Sequence, residues 1–296
     1  MINKIDKILV FGASGLLGKC FIDYYKDKKN IFVAINKTKL KIKNINFIDA
    51  NKLNLIKKYI KKKKINVIIN FAGLTNIEIC EKNVNLSKKS NYILPINLAD
   101  LSRECNVKYI FISTDNFEFN SKKLSENSNI KSLNIYSKHK KQSEEDIIRI
   151  NPKALIIRTN FYCVGNEKRQ SFSDMIINQT KSNKEIKLFK DVYYTPIYGK
   201  YLLKYIFVLL KKNKFGIFNV CSNERITKYQ FGHKVCKIFH LDKRLIKMNY
   251  LKKKKDLVKR PLNMALNNYK LKKTLKIKIP SINYQLQVMK KDYKFL

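Results

Sequence analysis

Up to about residue 160 the chain alternates between two hydrophobic periods. Short unbroken apolar runs, KILVF (7–11), IFVAI (31–35), INFI (45–48), NVIINF (66–71), VKYIFIS (107–113) and ALIIRT (154–159), have strand length and are rich in β-branched residues. Between them, residues 16–26, 53–62, 86–105 and 136–150 carry apolar positions at helical spacing. Strands that are apolar along their whole length are buried on both faces. Their alternation with helices predicts an α/β fold built on a doubly wound parallel sheet. Further along the period is less regular: 173–181, 200–212 and 227–239 read as helices and 216–222 as a strand.

The first strand runs directly into GASGLLGKC, which places Gly12, Gly15 and Gly18 three apart where a strand turns into a helix. An ordinary turn there needs one glycine, and three of the chain's eight are here. The arrangement suits a pyrophosphate: a tight turn, backbone N–H groups free to approach it, and a helix N-terminus that favours negative charge. Ser14, Leu16 and Leu17 complete the loop. We therefore expect residues 1–160 to form a Rossmann-type dinucleotide-binding domain. Residues 161–296 are expected to be mainly a smaller C-terminal substrate-binding lobe, partly interleaved with the first. The second strand ends in AINKTK, with Asn36 where a ribose-binding carboxylate would select NAD, followed by Lys37 and Lys39. This favours NADP, NADPH in the reduced form, with NADH as the alternative. Asp49, ending the third strand, is a candidate adenine contact.

Charge and cysteine content change this picture little. The net charge of +41 points to nucleic acid or an anionic surface. Yet only seven of the 63 basic residues are arginine, and the lysines are spread over the whole chain. Phosphate and base recognition favours arginine, so no specific nucleic acid is expected. The KKKK runs at 61–64 and 252–255 read as solvated ends of elements. Six scattered cysteines and three unclustered histidines show no zinc spacing, and a set of reduced, mostly buried thiols without metal is expected. No apolar run reaches the length of a signal-peptide core or a membrane span, which leaves a cytoplasmic protein with no membrane partner. A second copy of the chain is a candidate partner.

The sequence NIYSKHKKQSEED holds Tyr136 and Lys140, one helical turn apart and so on one face. The same spacing occurs at five other tyrosines of this lysine-rich chain, and position chooses among them. Only Tyr136 follows both the glycine loop and a strand ending in hydroxyls, IFISTD, with Ser113, Thr114 and Asp115 at the ligand edge. Small residues, Ala72 and Gly73, end the fourth strand, where a backbone must pass close to a cofactor.

GASGLLG, NFAGLTNIEICE, NYILPINLA, FISTD, LNIYSKHKKQSE, IIRTNF and RPLNMAL, in this order, resemble the extended short-chain dehydrogenase/reductase superfamily. Within it the chain resembles the dTDP-4-dehydrorhamnose reductase family over nearly its whole length. The resemblance implies Thr114, Tyr136 and Lys140 as the catalytic set. It implies Gly12, Gly15, Gly18, Ala72, Gly73, Thr75 and Asn91 along the cofactor, and Arg260 with Asn263 near a nucleotide-sugar substrate. The expected activity is NADPH-dependent reduction of a 4-keto-6-deoxy nucleotide sugar in deoxysugar biosynthesis. The alternatives are a nucleotide-sugar 4-epimerase and a non-catalytic NADP-binding regulatory subunit, like that of methionine adenosyltransferase. A 4,6-dehydratase would have glutamate where Asn116 stands. The chain departs from the family after Asp115, with Asn116, Phe117, Glu118 and Phe119, and at Ser137, where a glycine follows the catalytic tyrosine. The proline before that tyrosine and the usual glycine between Asn120 and Leu133 are also missing. His139, whose helical phase turns it from Tyr136, is assigned no role.

Overall fold

A computed structural model describes residues 6–25, 28–35, 46–49, 52–165 and 169–293. The apolar runs become strands β1 (Ile8–Phe11), β2 (Ile31–Ile35), β3 (Asn46–Asp49), β4 (Val67–Asn70), β5 (Lys108–Ile112) and β6 (Leu155–Arg158). A seventh strand, Gly216–Asn219, completes the parallel sheet in the order Gly216–Asn219, β6, β5, β4, β1, β2, β3. Every residue of β1, β4 and β6 is buried, which is why these strands read as unbroken apolar runs. The sequence assigned the strand after Lys214 to the substrate-binding lobe, whereas it joins the sheet beside β6. The chain winds outward from β1 in one direction and from β4 in the other. Such a sheet places its ligand crevice at the carboxyl ends of the two central strands.

Helices α1 (Leu16–Tyr24) and α2 (Leu53–Lys63) follow their predicted stretches. In α2 the apolar positions Ile56 and Ile60 are buried, and the first KKKK run falls on the last turn and its left-handed cap, Lys64. Positive charge there meets the carbonyl end of the helix. Lysines 252–255 are likewise exposed, on and just after a short 3-10 turn. The stretch predicted as a helix over 86–105 is helical throughout but changes register: α3 (Ile77–Lys82) precedes it, α4 (Val84–Lys88) runs into a π turn at Lys89–Ile93, and α5 (Leu94–Glu104) continues with Pro95 in its first turn. Helix α6 (Ile135–Ile150) carries Tyr136 and Lys140.

The chain forms two compact units. The first comprises Met1–Ser113, Asn134–Ile157 and Leu203–Ile217. The second comprises Thr114–Leu133, Arg158–Leu202 and Phe218–Leu296. The two units interleave along the chain: 114–133 belongs to the second and 203–217 to the first. The first unit's core includes Leu9, Phe11, Ile56, Ile68, Leu98, Phe111 and Ile156. The second centres on Phe231, whose ring meets those of Tyr162, Phe172 and Tyr194. All six cysteines are free, and Cys80, Cys163, Cys221 and Cys236 are buried. Among the described residues no helix is long and apolar enough to cross a membrane.

Candidate active site

The glycine loop lies where β1 ends at the centre of the sheet. Gly12 has φ +78°, and a Cβ there would stand 2.3 Å from the Ala72 nitrogen and 2.6 Å from its Cα. At Gly18 a Cβ would stand 2.3 Å from the Gly12 carbonyl oxygen. The first position thus lets two backbone segments touch, and the third lets α1 close onto its own loop. Gly15 donates its N–H to the Gly12 carbonyl at 3.0 Å and forms the N-cap of α1 with no side chain to accept a hydrogen bond. No carboxylate stands in the first turn of α1 either, so its end is open to an anion. Leu17 is buried beneath the loop, while Ser14 and Leu16 are half-buried. These features fit a dinucleotide pyrophosphate. Asp49 is exposed at the end of β3. Asn36, Lys37 and Lys39 lie outside the described residues.

The segment after β4 is held from both sides. Asn70 accepts the Ala72 N–H on its side-chain oxygen at 2.9 Å. Asn91, on the π turn, accepts the Leu74 N–H at 3.1 Å and donates to the Leu74 carbonyl at 2.9 Å. Its Oδ1 lies 3.0 Å from where a Gly73 Cβ would be, and the Lys140 Nζ lies 3.5 Å from the same point. Thr75 is exposed just beyond. The π turn has a physical role here: the extra residue shifts Asn91 out of the helical ladder's register, and Ser143 of α6 donates to its carbonyl at 2.6 Å. The sequence pattern contained no sign of that turn.

Helix α6 starts by a device of its own. Asn134 accepts the Ser137 N–H at 2.9 Å and donates its own N–H to the Ser137 hydroxyl, a reciprocal cap. Glu81 of α3 accepts the Ile135 N–H at 3.0 Å. This cap gives a physical reason for Ser137 and for a helix start without the family's proline. Tyr136 is buried in the first turn, and one turn on the Lys140 ammonium donates to the Ile112 carbonyl at 2.9 Å and lies 4.5 Å over the Phe111 ring. A further turn along the same face is Glu144, a buried carboxylate that accepts from Ser113. Sequence reading passed over Glu144, although the 136/140/144 spacing marks it. His139 is buried on another side, its Nδ1 2.9 Å from the Ser87 hydroxyl.

Burial pushes the Lys140 amine down to about 8, with Glu144 and Cys80 opposing the shift. The ammonium is therefore present below about pH 8 and lost above it. Between there and the ordinary lysine range the unfolded chain holds a proton that the folded chain has released, so this group's contribution to stability rises with pH. Any activity that needs the charge should fall through an alkaline limb near pH 8. A kcat–pH profile of the native protein beside Lys140→Arg checks this, because arginine keeps its proton and should shift that limb upward.

The remaining predicted residues stand in the second unit. The Thr114 hydroxyl oxygen accepts the Asn116 N–H at 3.1 Å, which leaves its own hydrogen to donate. Asp115 is buried, its Oδ2 accepts from Asn160 at 2.8 Å, and burial raises its carboxyl to about 6 against the opposing charge of Lys228. Asn116 contacts the Met264 sulfur at 3.5 Å, and Phe117 fills an apolar cluster with Leu124, Ile130, Cys221 and Leu266. Of the altered residues after Asp115, Asn116, Phe117 and Phe119 thus serve packing in this unit, while Glu118 is exposed. Arg260 donates through Nε to the Val258 carbonyl at 3.1 Å. Asn263 engages both ends of its amide within the chain: it donates to the Ser121 and Lys122 carbonyls and accepts from Arg225 and Ala265.

Comparison with known proteins extends these observations over the full chain. A family model described as the RmlD substrate binding domain matches residues 6–295. A probable low-salt glycan biosynthesis reductase of Haloferax volcanii is 23% identical over 250 residues, covering 82% of this chain and 83% of that protein. The crystal structure of a dTDP-4-dehydrorhamnose reductase from Clostridium acetobutylicum has a TM-score of 0.82 at 25% identity, covering 97% of this chain and 99% of the other. One from Bacillus anthracis, in complex with NADP, has a TM-score of 0.83 at 20% identity, with 97% and 99% covered. With a parallel sheet, a glycine loop closed against the segment after β4 and a match over all but the first few residues and the last, the chain belongs to the RmlD substrate-binding-domain family.

Proposed function

We propose that this protein is an NADPH-preferring reductase of a 4-keto-6-deoxy nucleotide sugar, supplying deoxysugars to a surface glycan. The observation that carries the reading is the continuity from Gly12 through Ala72 and Gly73 to the Lys140 ammonium. A cradle for pyrophosphate and a buried, hydrogen-bonded lysine one turn from a tyrosine belong to one constellation in the first unit. The cofactor, when bound, supplies the hydride that reduces the ketone carbon. Tyr136 gives its phenolic proton to the oxygen on which charge develops, and the Lys140 ammonium eases that release. Thr114 donates its hydroxyl hydrogen to the same oxygen. Arg260 contributes positive charge for the nucleotide. Lys37 and Lys39 favour the 2′-phosphate of NADPH, and the lysine-rich surface steers an anionic substrate.

The test is loss of NADPH absorbance with enzymatically generated dTDP-4-keto-6-deoxyglucose, run beside NADH. We expect one NADPH oxidised per keto sugar, and kcat/KM about 10- to 100-fold better than with NADH, the size of charge-assisted contacts to one phosphate. Interconversion of nucleotide sugars with no net NADPH loss would make the protein a 4-epimerase. Tight NADPH binding without turnover of any nucleotide sugar would make it a binding subunit.

A further inference from the structure

Arg225 stands in the second unit, just before the helix Lys228–Phe239. Its guanidinium carbon lies 3.6 Å over the Tyr193 ring, and its Nε donates to the Asn263 Oδ1 at 3.2 Å. Both supports are themselves fixed. Tyr193 donates its N–H to the Leu262 carbonyl at 2.7 Å and accepts the Met264 N–H at 2.8 Å. The Asn263 amide donates to the Ser121 and Lys122 carbonyls at 3.0 and 3.3 Å. The plane of the guanidinium is therefore set before any ligand arrives.

What remains of Arg225 is uncommitted: among the described residues, neither terminal amino group has a hydrogen-bond or carboxylate partner. Arg103, Arg149 and Arg244, by contrast, each pair with a nearby aspartate. The adjacent Glu224, which lines the same pocket, is neutralised by Lys234 at 3.3 Å and accepts the Ile282 N–H at 2.6 Å, so it does not pair with Arg225. Arg225 lines an open pocket of about 650 Å³ with Tyr229, Gln230, His233 and the Glu224–Lys234 pair, and the His233 Nε2 is buried without a partner among the described residues. In a chain with 63 basic residues and only seven arginines, lysine could have supplied the charge alone. It could not supply a stacked, planar fork.

We infer that Arg225 is an oxyanion clamp whose terminal amino groups take a phosphate of the substrate's diphosphate. Naming a nucleotide-sugar diphosphate rests on the reading under Proposed function; the clamp itself does not. The link between them is Asn263, which Arg225 holds and which lies three residues after Arg260. Asn263 is then a positioning residue, and Arg225 makes the contact that the sequence suggested for Asn263.

The test is calorimetric titration at fixed ionic strength, with NADP saturating so that the glycine loop is filled. Inorganic pyrophosphate and dTDP are titrated into native protein, Arg225→Lys and Arg225→Gln, and NADPH affinity and melting temperature are measured for each. The expected result is native binding of both ligands, weakened about tenfold or more in Arg225→Lys and up to about a hundredfold in Arg225→Gln, with NADPH affinity unchanged. Arg225→Lys decides the matter if the glutamine variant fails to fold. Tyr193→Leu, which keeps the charge and removes the stack, should weaken both ligands as well. Native-like affinity in Arg225→Lys would overturn the clamp and credit diffuse lysine charge. Arg225-dependent pyrophosphate binding with no added affinity for dTDP or any other nucleoside diphosphate would uphold the clamp and remove the nucleotide-sugar reading. No binding of either ligand would remove both.

Discussion

Phenylalanine at position 136 is expected to reduce NADPH-dependent turnover by about 10²- to 10⁴-fold, the usual contribution of a positioned proton donor. Affinity for NADPH and melting temperature should stay near native values. The variant keeps the ring and loses only the hydroxyl. The start of α6 is secured independently by the Asn134–Ser137 cap and by Glu81, and Lys140 keeps its bond to the Ile112 carbonyl. Steady-state kcat with a fluorescence titration of NADPH separates chemistry from binding. Turnover close to native would take the proton donor away from Tyr136, whatever the substrate.

The second large effect is expected at Gly12. Alanine there should abolish NADPH binding and destabilise the fold by roughly 2–4 kcal/mol. Two costs combine. A side chain at φ +78° is strained, and the new Cβ would fall within 2.6 Å of two backbone atoms of Ala72, neither of which can swing aside as a side chain could. Gly15→Ala is the internal comparison: its nearest neighbour would be the Gly12 oxygen at 3.2 Å, and its backbone is in the ordinary extended region. It should fold nearly as well as the native chain. Urea denaturation with NADPH titration would expose an error if Gly12→Ala bound cofactor normally.

The parts of this fold that were legible in sequence share a cause. A parallel strand covered on both faces must be apolar at successive positions, so ILVF at 8–11 and VIIN at 67–70 show themselves without partners. The glycine loop was legible because backbone contact excludes side chains at Gly12 and Gly18 in any folded context. Long-range pairing carries no such mark. GIFN at 216–219 has the composition of a strand, yet nothing local says that it lies beside β6. The π turn was hidden for a related reason, since apolar spacing through 86–105 fits an unbroken helix, and the shift of register at Lys89–Ile93 serves one side chain, Asn91. At the site, Tyr136 and Lys140 could be singled out by their order along the chain. Asn70 and Glu144 were missed because a polar residue at a strand end or on a helix face is common, and only burial distinguishes these two. Arg225 was passed over as one cation among many. Its stack on Tyr193 joins residues 32 positions apart, which no local pattern reports.

The late arrival of the seventh strand has a consequence for how the protein is made. While residues 159–215 are still being synthesised, β6 is the outer edge of the sheet, a row of unpaired N–H and carbonyl groups on a strand whose first three residues are apolar. Such an edge is a template for pairing with other chains. A nascent chain therefore passes through a window in which six strands of its sheet are made but one edge is open, and the window closes only when Gly216–Asn219 leaves the ribosome. For the same reason an expression fragment cut at residue 160 would carry that open edge permanently. It should accumulate as aggregate even though its sequence contains the whole glycine loop and both Tyr136 and Lys140.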